Sequence, residues 1–335
     1  MTINDFSSEQ LAGQRLMAGF DGTELNGDLK FLISELKVGG IILFSGNLVE
    51  PGQIKDLCLG AQAYAASCGQ PPLFIAIDQE GGQVARLKKP FTEFPGNPFM
   101  ESETDAEHFA DVTSRELNSV GINMNMAPVM DVQPRGFSGI MEKRVFGSDP
   151  EVVSRLGTVI IKSMQDHGIM AVAKHFPGIG RTTLDSHVDL PTLDTDTHDL
   201  ETFDFIPFQA AIKENVSGIM MSHIRYSSID PQWPAGLSPD IADRLLRKKM
   251  GFQGLVMTDD LDMGAVRKHY DIKTAIRQIL ISGVDIALIC HQGPDIERAY
   301  DEILRHLTHS DEIKELAMVS TERIMAAKDS FCPAK

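Results

Sequence analysis

The sequence is poor in cysteine and in positive charge, and each shortage excludes a class of protein. Four cysteines are scattered over 335 residues without a CxxC pair, so neither a disulfide framework nor a cysteine zinc site is indicated. Acidic residues outnumber basic ones, 47 Asp and Glu against 31 Lys and Arg, which gives a formal net charge of −16. This charge disfavours nucleic acids and anionic membranes as partners.

Long apolar runs and targeting signals are also missing. No stretch approaches the roughly 18 consecutive apolar residues of a membrane span. The N-terminal segment MTINDFSSEQLAGQR has neither the cationic start nor the apolar centre of a secretory signal. Together with free thiols, these features predict a cytoplasmic protein that has no membrane partner.

Eight short apolar runs alternate with segments of helical spacing, and such continuous runs are typical of strands buried on both faces. The runs are residues 15–20, 39–44, 73–77, 122–126, 169–173, 218–222, 255–258 and 284–289. Strand and helix alternating eight times predict the α/β class, as a (β/α)8 TIM-type barrel. We expect one catalytic domain over residues 1–335, ending in helices over about 294–328. A doubly wound open sheet is the alternative, although no GxGxxG follows the first run.

Polar residues follow the predicted strands at their C-terminal ends, where barrel enzymes carry their chemistry. They are Asp21, Asn47, Asp78, Glu80, Arg86, Asp131, Arg144, Lys174, His175, His223, Asp259, Asp260 and His291. Carboxylates and basic groups bind pairs of hydroxyls, so this ring predicts a site for a polyol. Two glycines, Gly81 and Gly82, are expected to let the backbone fold tightly beside the ligand.

Side chains alternate between the two faces of an extended strand. We therefore expect at most one of Asp259 and Asp260 to face the site, and Lys174 and His175 to alternate likewise. The glycine-bearing stretch KHFPGIGRTTLDSHVDLP starts at Lys174. Asp185, Ser186 and His187 in this stretch provide a carboxylate, a hydroxyl and an imidazole, a combination typical of a mobile loop that transfers protons. A solvated polar loop is the alternative. Residues 176–187 are predicted to be mobile when the site is empty.

Seven segments together carry a resemblance to a known family. They are GGIILFSGN (39–47), IDQEGGQVARL (77–87), NMAPVMDV (125–132), KRVFGSDP (143–150), KHFPGIG with DSHVDLP (174–191), IMMSHI (219–224) and LVMTDDLDM (255–263). The chain resembles the family 3 glycoside hydrolases, and within them the bacterial cytoplasmic β-N-acetylhexosaminidases of the NagZ type. The resemblance covers roughly residues 10–300, in order.

The resemblance implies a retaining mechanism in which Asp259 is the nucleophile and forms a covalent glycosyl-enzyme. It implies that His187 is the general acid/base and that Asp185 orients the imidazole. The substrate-binding residues that it implies are Asp78, Arg86, Arg144, Lys174, His175 and His223. The implied substrate is terminal β-linked N-acetylglucosamine from peptidoglycan-derived muropeptides. No metal or organic cofactor is implied, and we expect a monomer.

Two departures from the family pattern leave the choice of glycoside open. Ile179 stands where the family's loop has a histidine, and Val145 stands where a small polar residue is common. A β-glucosidase or a glycoside phosphorylase of the same family is therefore the alternative activity. A non-catalytic sugar-binding protein is another alternative. A metal-dependent barrel hydrolase would use His175, His187, His223 and Asp259, but no HExxH motif occurs.

Overall fold

Eight parallel strands form a closed barrel in the computed structural model, which describes residues 5–332. In chain order the strands are β1 (Leu16–Ala18), β2 (Gly40–Leu43), β3 (Phe74–Ile77), β4 (Met124–Asn125), β5 (Met170–Phe176), β6 (Gly218–Met221), β7 (Leu255–Asp260) and β8 (Ile286–Ile289). Each strand pairs with its neighbours in sequence, and β1 pairs with β8 to close the barrel. The predicted (β/α)8 barrel is confirmed. Strands β5 and β7 extend beyond the predicted runs.

Ten longer helices pack against the barrel within residues 5–332, and seven of them connect successive strands. They are α1 (Ser8–Gln14), α2 (Gly27–Ser34), α3 (Pro51–Ser67), α4 (Glu103–Ser119), α5 (Pro150–Asp166), α6 (Ile206–Lys213), α7 (Asp240–Lys249), α8 (Ile272–Ile281), α9 (Pro294–His309) and α10 (Asp311–Phe331). Short helical turns lie at Ser45–Asn47, Asn97–Phe99, Thr197–Asp199, Leu200–Asp204, Ala235–Leu237 and Gly264–Arg267. None of the helices within residues 5–332 combines the length and apolarity needed to cross a bilayer.

Two hydrophobic clusters, one on each face of the sheet, stabilise the barrel. The larger cluster lies between the sheet and the helices. The inner cluster fills the barrel and is rich in methionine: Met17, Met124, Met126, Met170, Met220 and Met257. Unbranched, flexible methionines fill irregular spaces well. Burial on both faces explains why the strands are continuous apolar runs in the sequence.

The C-terminal helix α10 closes the N-terminal end of the barrel, a role that no sequence motif indicated. Ile324 of α10 belongs to the inner cluster. Lys328 is fully buried, and its ammonium donates to Gln14 Oε1 at 2.6 Å and lies 5.2 Å from the centre of the Phe74 ring. Burial lowers the pKa of Lys328 to about 7. Helix α10 therefore closes the end of the barrel opposite to the C-terminal ends of the strands.

A buried carboxylate, Asp285, joins two surrounding helices to the barrel just before β8. Its Oδ2 accepts from Arg247 of α7 at 2.5 Å and from the backbone N–H of Val256 at 2.9 Å. Its Oδ1 accepts from Arg323 at 2.8 Å and from Ser320 at 2.9 Å, both on α10. Asp285 is 0% exposed, so these donors replace the water that the carboxylate loses on folding.

We expect Asp285→Ala to lower the free energy of unfolding by about 3–5 kcal/mol, because it leaves two partly buried arginines without their counter-charge. Urea denaturation followed by circular dichroism measures this loss. Asp166→Ala is the control, since it breaks an exposed ion pair with Lys162 on α5 and should cost less than about 0.5 kcal/mol. Equal losses in the two variants would show that Asp285 is not an anchor.

Candidate active site

A cavity of about 480 Å³ opens at the C-terminal ends of the strands. Its apolar lining includes Ile42, Met220 and Leu288, which also belong to the inner core. Eight of the nine predicted site residues line it: Asp78, Arg86, Arg144, Lys174, His175, Asp185, His187 and Asp259. Closure of the barrel therefore brings together side chains that lie far apart in the sequence.

A short antiparallel hairpin after β3, Gln79–Gly81 with Val84–Ala85, shapes one wall of the cavity. Gln79 fixes it, because its Oε1 accepts from the backbone N–H of Arg86 at 2.8 Å. The backbone N–H of Gln79 donates to Asn125 Oδ1 at 3.0 Å. These bonds join the hairpin to β4 and help to place the Asp78 side chain at the cavity.

The two glycines of this hairpin make the predicted tight turn, with φ of 89° at Gly81 and 61° at Gly82. The close approach is to another part of the chain rather than to a ligand. A Cβ at Gly82 would lie 2.9 Å from the carbonyl oxygen of Pro95. The glycines therefore let the hairpin pack against the segment 94–96.

Five side chains of alternating charge lie on one side of the cavity, and we call them the charged wall: Arg86, Asp78, Lys174 and Arg144, which line the cavity, and Glu80, which is buried beside them. Lys174 Nζ lies 2.8 Å from Asp78 Oδ1 and 2.7 Å from Glu80 Oε1. Arg86 contacts the other oxygen of Asp78 at 3.2 Å. Arg144 binds Glu80 through two contacts, at 2.7 and 3.0 Å. Each buried charge thus has a partner of opposite sign.

Electrostatics keep the charged wall ionised. Burial would raise the pKa of Asp78, but Lys174 and Arg86 outweigh it and bring that pKa to about 2. The pKa of Glu80 is lowered as well, because Lys174 and Arg144 outweigh its burial. Burial would lower the pKa of Lys174, but the two carboxylates raise it. At neutral pH the wall therefore presents fixed charges that can hydrogen-bond to hydroxyls.

Glu80 and Asp131 are site residues whose roles the sequence analysis did not assign. Glu80 lies two residues after Asp78, and this spacing on an extended segment is the signal that could have identified it. Asp131 is fully buried, and its Oδ2 accepts from His175 Nδ1 at 2.8 Å. Arg144 Nη2, which can only donate, lies 3.4 Å from His175 Nε2, so this contact uses Nε2 as the acceptor. His175 therefore presents a hydrogen-bond acceptor to the cavity.

The prediction that only one residue of each adjacent pair faces the site is wrong. Lys174 and His175 both line the cavity, and so do Asp259 and Asp260. The register of β5 against β6 shifts between Lys174 and Phe176, and that of β7 against β8 shifts between Met257 and Asp260. Such irregularities interrupt the alternation of side chains. They bring two consecutive polar residues to the cavity at both strand ends.

The adjacent carboxylates Asp259 and Asp260 have different surroundings. Oδ1 of Asp259 accepts from the N–H of Asp260 at 2.8 Å. The Asp260 carboxylate accepts from the N–H groups of Asp262 and Cys290, each at 3.0 Å. Burial, despite these hydrogen bonds, raises the pKa of Asp260 to about 6. Asp260 is thus engaged by the backbone, whereas Asp259 offers its carboxylate to the cavity.

Asp185 and His187 form a pair on the loop above the cavity. Asp185 Oδ1 accepts from His187 Nδ1 at 2.8 Å and from the backbone N–H of His187 at 2.9 Å. Burial raises the pKa of Asp185, but the bonds from His187 outweigh it and the net shift is downward. The imidazole is 71% exposed. Its Nε2 is therefore left for proton exchange with a ligand or water.

His223 is the predicted site residue that does not line the cavity. It is 1% exposed, and its Nε2 donates to the backbone carbonyl of Asp260 at 3.1 Å. Burial lowers the pKa of His223 despite the nearby Asp259. This placement supports a role in holding the end of β7 and does not support direct contact with a sugar.

One group of side chains has the spacing of cation ligands. Within residues 5–332, Asp260, Asp262 and His291 bring one ligand atom each within 4.8 Å of one another. Backbone N–H groups already occupy both carboxylates, since Asp262 Oδ2 accepts from the N–H of His291 at 3.0 Å. This group differs from the set His175, His187, His223 and Asp259 of the metal-hydrolase alternative.

The sequence matches the family model "Glycosyl hydrolase family 3 N terminal domain" over residues 9–327. The chain belongs to glycosyl hydrolase family 3. Among curated relatives, Beta-hexosaminidase A of Pseudoalteromonas piscicida is 34% identical over 359 residues, covering 96% of this chain and 60% of the relative. The chain therefore spans less than two thirds of that relative's length.

Two solved structures share the barrel. A β-N-acetylglucosaminidase from a Paenibacillus species superposes with a TM-score of 0.94 at 36% identity, covering 98% of this chain and 63% of that one. A β-N-acetylhexosaminidase from Beutenbergia cavernae gives a TM-score of 0.87 at 28% identity. It covers 97% of this chain and 99% of the solved one, so these two chains match over nearly their whole lengths.

The charged wall predicts an acid-dependent loss of stability. The folded pKa of Asp78, about 2, lies below its unfolded value of about 3.9, so its contribution is present above pH 4 and disappears as the pH falls towards 2. We expect Asp78→Asn to remove about 2 kcal/mol of the stability difference between pH 5 and pH 2. Urea denaturation at several pH values measures how the free energy of unfolding changes with pH. The same change in Asp78→Asn as in the unchanged protein would contradict this assignment. The exposed Asp166→Asn is the control.

Proposed function

We propose that the protein is a retaining exo-β-N-acetylglucosaminidase, which removes terminal β-linked N-acetylglucosamine. The observation that carries this proposal is that Asp259, the Asp185–His187 pair and four of the five side chains of the charged wall line one cavity. Relatives named beta-hexosaminidase and family 3 structures named β-N-acetylglucosaminidase support it. A retaining hydrolase needs a nucleophile, a proton donor and a binding wall for the sugar around one reacting carbon.

In the first step, Asp259 attacks the anomeric carbon and the bond from that carbon to the glycosidic oxygen breaks. His187, as an imidazolium, gives its Nε2 proton to the departing oxygen. The carboxylate of Asp185 stabilises the imidazolium, and the product is a covalent glycosyl ester of Asp259. An imidazole in this role places no second negative charge beside the nucleophile.

In the second step, water replaces the enzyme on the anomeric carbon. Neutral His187 accepts a proton from the water as the water oxygen bonds to that carbon. The ester bond to Asp259 breaks and the carboxylate is regenerated. Two displacements at one carbon leave the product in the β configuration.

The charged wall and the apolar lining suit the sugar itself. Asp78 and the basic side chains around it are held in fixed positions, so they lose little entropy when they bind hydroxyls. Ile42, Met220 and Leu288 offer apolar contact to the ring and the acetamide methyl group. The cavity volume of about 480 Å³ lies in the usual range for small-ligand sites. A muropeptide aglycone, which rests on the family resemblance, a cytoplasmic location and a monomeric state complete the proposal.

Asp259→Ala should abolish hydrolysis of an aryl β-N-acetylglucosaminide, with a fall in kcat of at least about a thousandfold, because no other group can form the ester. A fluorinated N-acetylglucosaminyl fluoride should label the unchanged protein, and mass spectrometry should locate the label on Asp259. A label elsewhere, or an α-configured product, would sink the proposal. Parallel assays with aryl glucosides, with and without phosphate, distinguish it from a β-glucosidase or a phosphorylase.

His187→Ala should reduce kcat/KM by about a hundredfold or more for a substrate with a poor leaving group. A dinitrophenyl substrate should be affected far less, because its leaving group departs without protonation. Steady-state kinetics on the two substrates measure the difference. Equal losses would rule His187 out as the acid. Thr183→Ala, on the same loop but outside the proton-transfer pair, is the matched control.

A further inference from the structure

The loop that carries the Asp185–His187 pair rests on the turn that follows Asp259. The backbone N–H of Gly264 donates to the carbonyl of His187 at 3.2 Å, and the N–H of Ala265 donates to the carbonyl of Ser186 at 2.9 Å. The proton donor and the nucleophile are therefore joined by hydrogen bonds through a few residues of backbone.

A side-chain pair adds a third contact between the same two segments. His269 Nε2 donates to Asp189 Oδ1 at 2.5 Å, and both side chains are substantially exposed. An exposed pair contributes little to overall stability. Because Asp189 lies two residues after His187, the pair can influence the position of the loop.

Gly264 is needed at this contact for space. A Cβ at this position would lie 2.5 Å from the carbonyl oxygen of His187 and 2.6 Å from that of Val188. The φ angle of Gly264 is outside the left-handed region, so its backbone conformation suits alanine. Because both obstructing atoms are backbone, alanine fits only if the loop lifts away from the turn.

The base of the same loop is held in another way, by buried partners. Ile179 N–H donates to Asp131 Oδ1 at 2.8 Å, and Tyr226 donates to the carbonyl of Gly178 at 2.8 Å. Arg181 donates to the buried Asp204 at 2.8 Å. The contacts of the outer part, residues 185–189, are with the turn at 264–269. Movement of the empty loop is therefore expected in residues 185–189 and not over the whole of the predicted range 176–187.

We propose that Gly264, Ala265 and His269 form a dock that positions His187 for proton transfer. The three are positioning residues, because they act on the loop and not on the substrate. Their role rests on the proposed function of His187. Since the dock follows Asp259 in the same segment, it fixes the separation between nucleophile and proton donor. In well-oriented reactions a displacement of about 1 Å costs on the order of a hundredfold in rate.

Gly264→Ala tests the dock, with Gly27→Ala as the matched control, because a Cβ at Gly27 meets nothing within 4 Å. We expect Gly264→Ala to lower kcat/KM about a hundredfold for a poor leaving group, and much less for a dinitrophenyl substrate. Added azide, which attacks the glycosyl ester without a general base, should accelerate turnover of the dinitrophenyl substrate by this variant more than by the control. Equal losses on both substrates and an unchanged azide response would overturn the dock.

The exposed pair gives a second test that does not depend on the folding of the glycine variant. Asp189→Asn and His269→Ala should each show the same leaving-group pattern at about tenfold, because the backbone bonds remain. The double variant should lose no more than either single one, since both remove one contact. If the losses of kcat/KM in the single variants add fully in the double variant, or are equal on both substrates, the Asp189–His269 pair does not position His187.

Hydrogen exchange separates failure of the dock from failure of the proposed function. Amides of residues 185–189 should exchange faster in Gly264→Ala than in Gly27→Ala, whatever substrate the protein uses. Faster exchange without any glycosidase activity would sustain the dock and reject the proposed function. Unchanged exchange with normal glycosidase behaviour would reject the dock alone.

Discussion

The site depends on a buried ammonium, Lys174, held between two carboxylates. A charged group that is 2% exposed loses most of its hydration, and only partners of opposite charge can replace it. Asp78 and Glu80 provide them, and two arginines balance the carboxylates in turn. Removing Lys174 would take one positively charged partner from each of the two carboxylates. The wall is therefore fixed before a ligand arrives, which is the condition for tight recognition of hydroxyls.

The barrel could be predicted from the sequence because its strands are buried on both faces. Such strands are continuous apolar runs, and eight of them alternating with helices permit few folds. Closure then forces the C-terminal ends together, so residues that follow separate runs could be assigned to one site. Eight of the nine predicted residues line the cavity on this account.

The errors have physical causes as well. Strand periodicity assumes regular pairing, and the register shifts in β5 and β7 break it at the site itself. Asp131 and Glu80 act through other side chains, and such partnerships are visible only when the distances are known. His223 follows β6 just as the cavity-lining residues follow other strands. It nevertheless lies behind the end of β7, where its imidazole contacts the backbone carbonyl of Asp260. The role of α10 depends on packing, for which the sequence carries no motif.

Three histidines at the C-terminal end of the barrel, His175, His187 and His223, show how depth decides what an imidazole can do. His223 is fully buried, and desolvation disfavours its charged form, so it serves as a neutral donor to a carbonyl. His175 is also buried, and Asp131 fixes its tautomer. A group that must both give and accept a proton needs access to water and freedom from such fixed bonds at one nitrogen. His187 meets both conditions because it lies on an exposed loop, but exposure removes the packing that would orient it. Contacts from outside the ring must then supply the orientation: Asp185 on one side and the turn after Asp259 beneath.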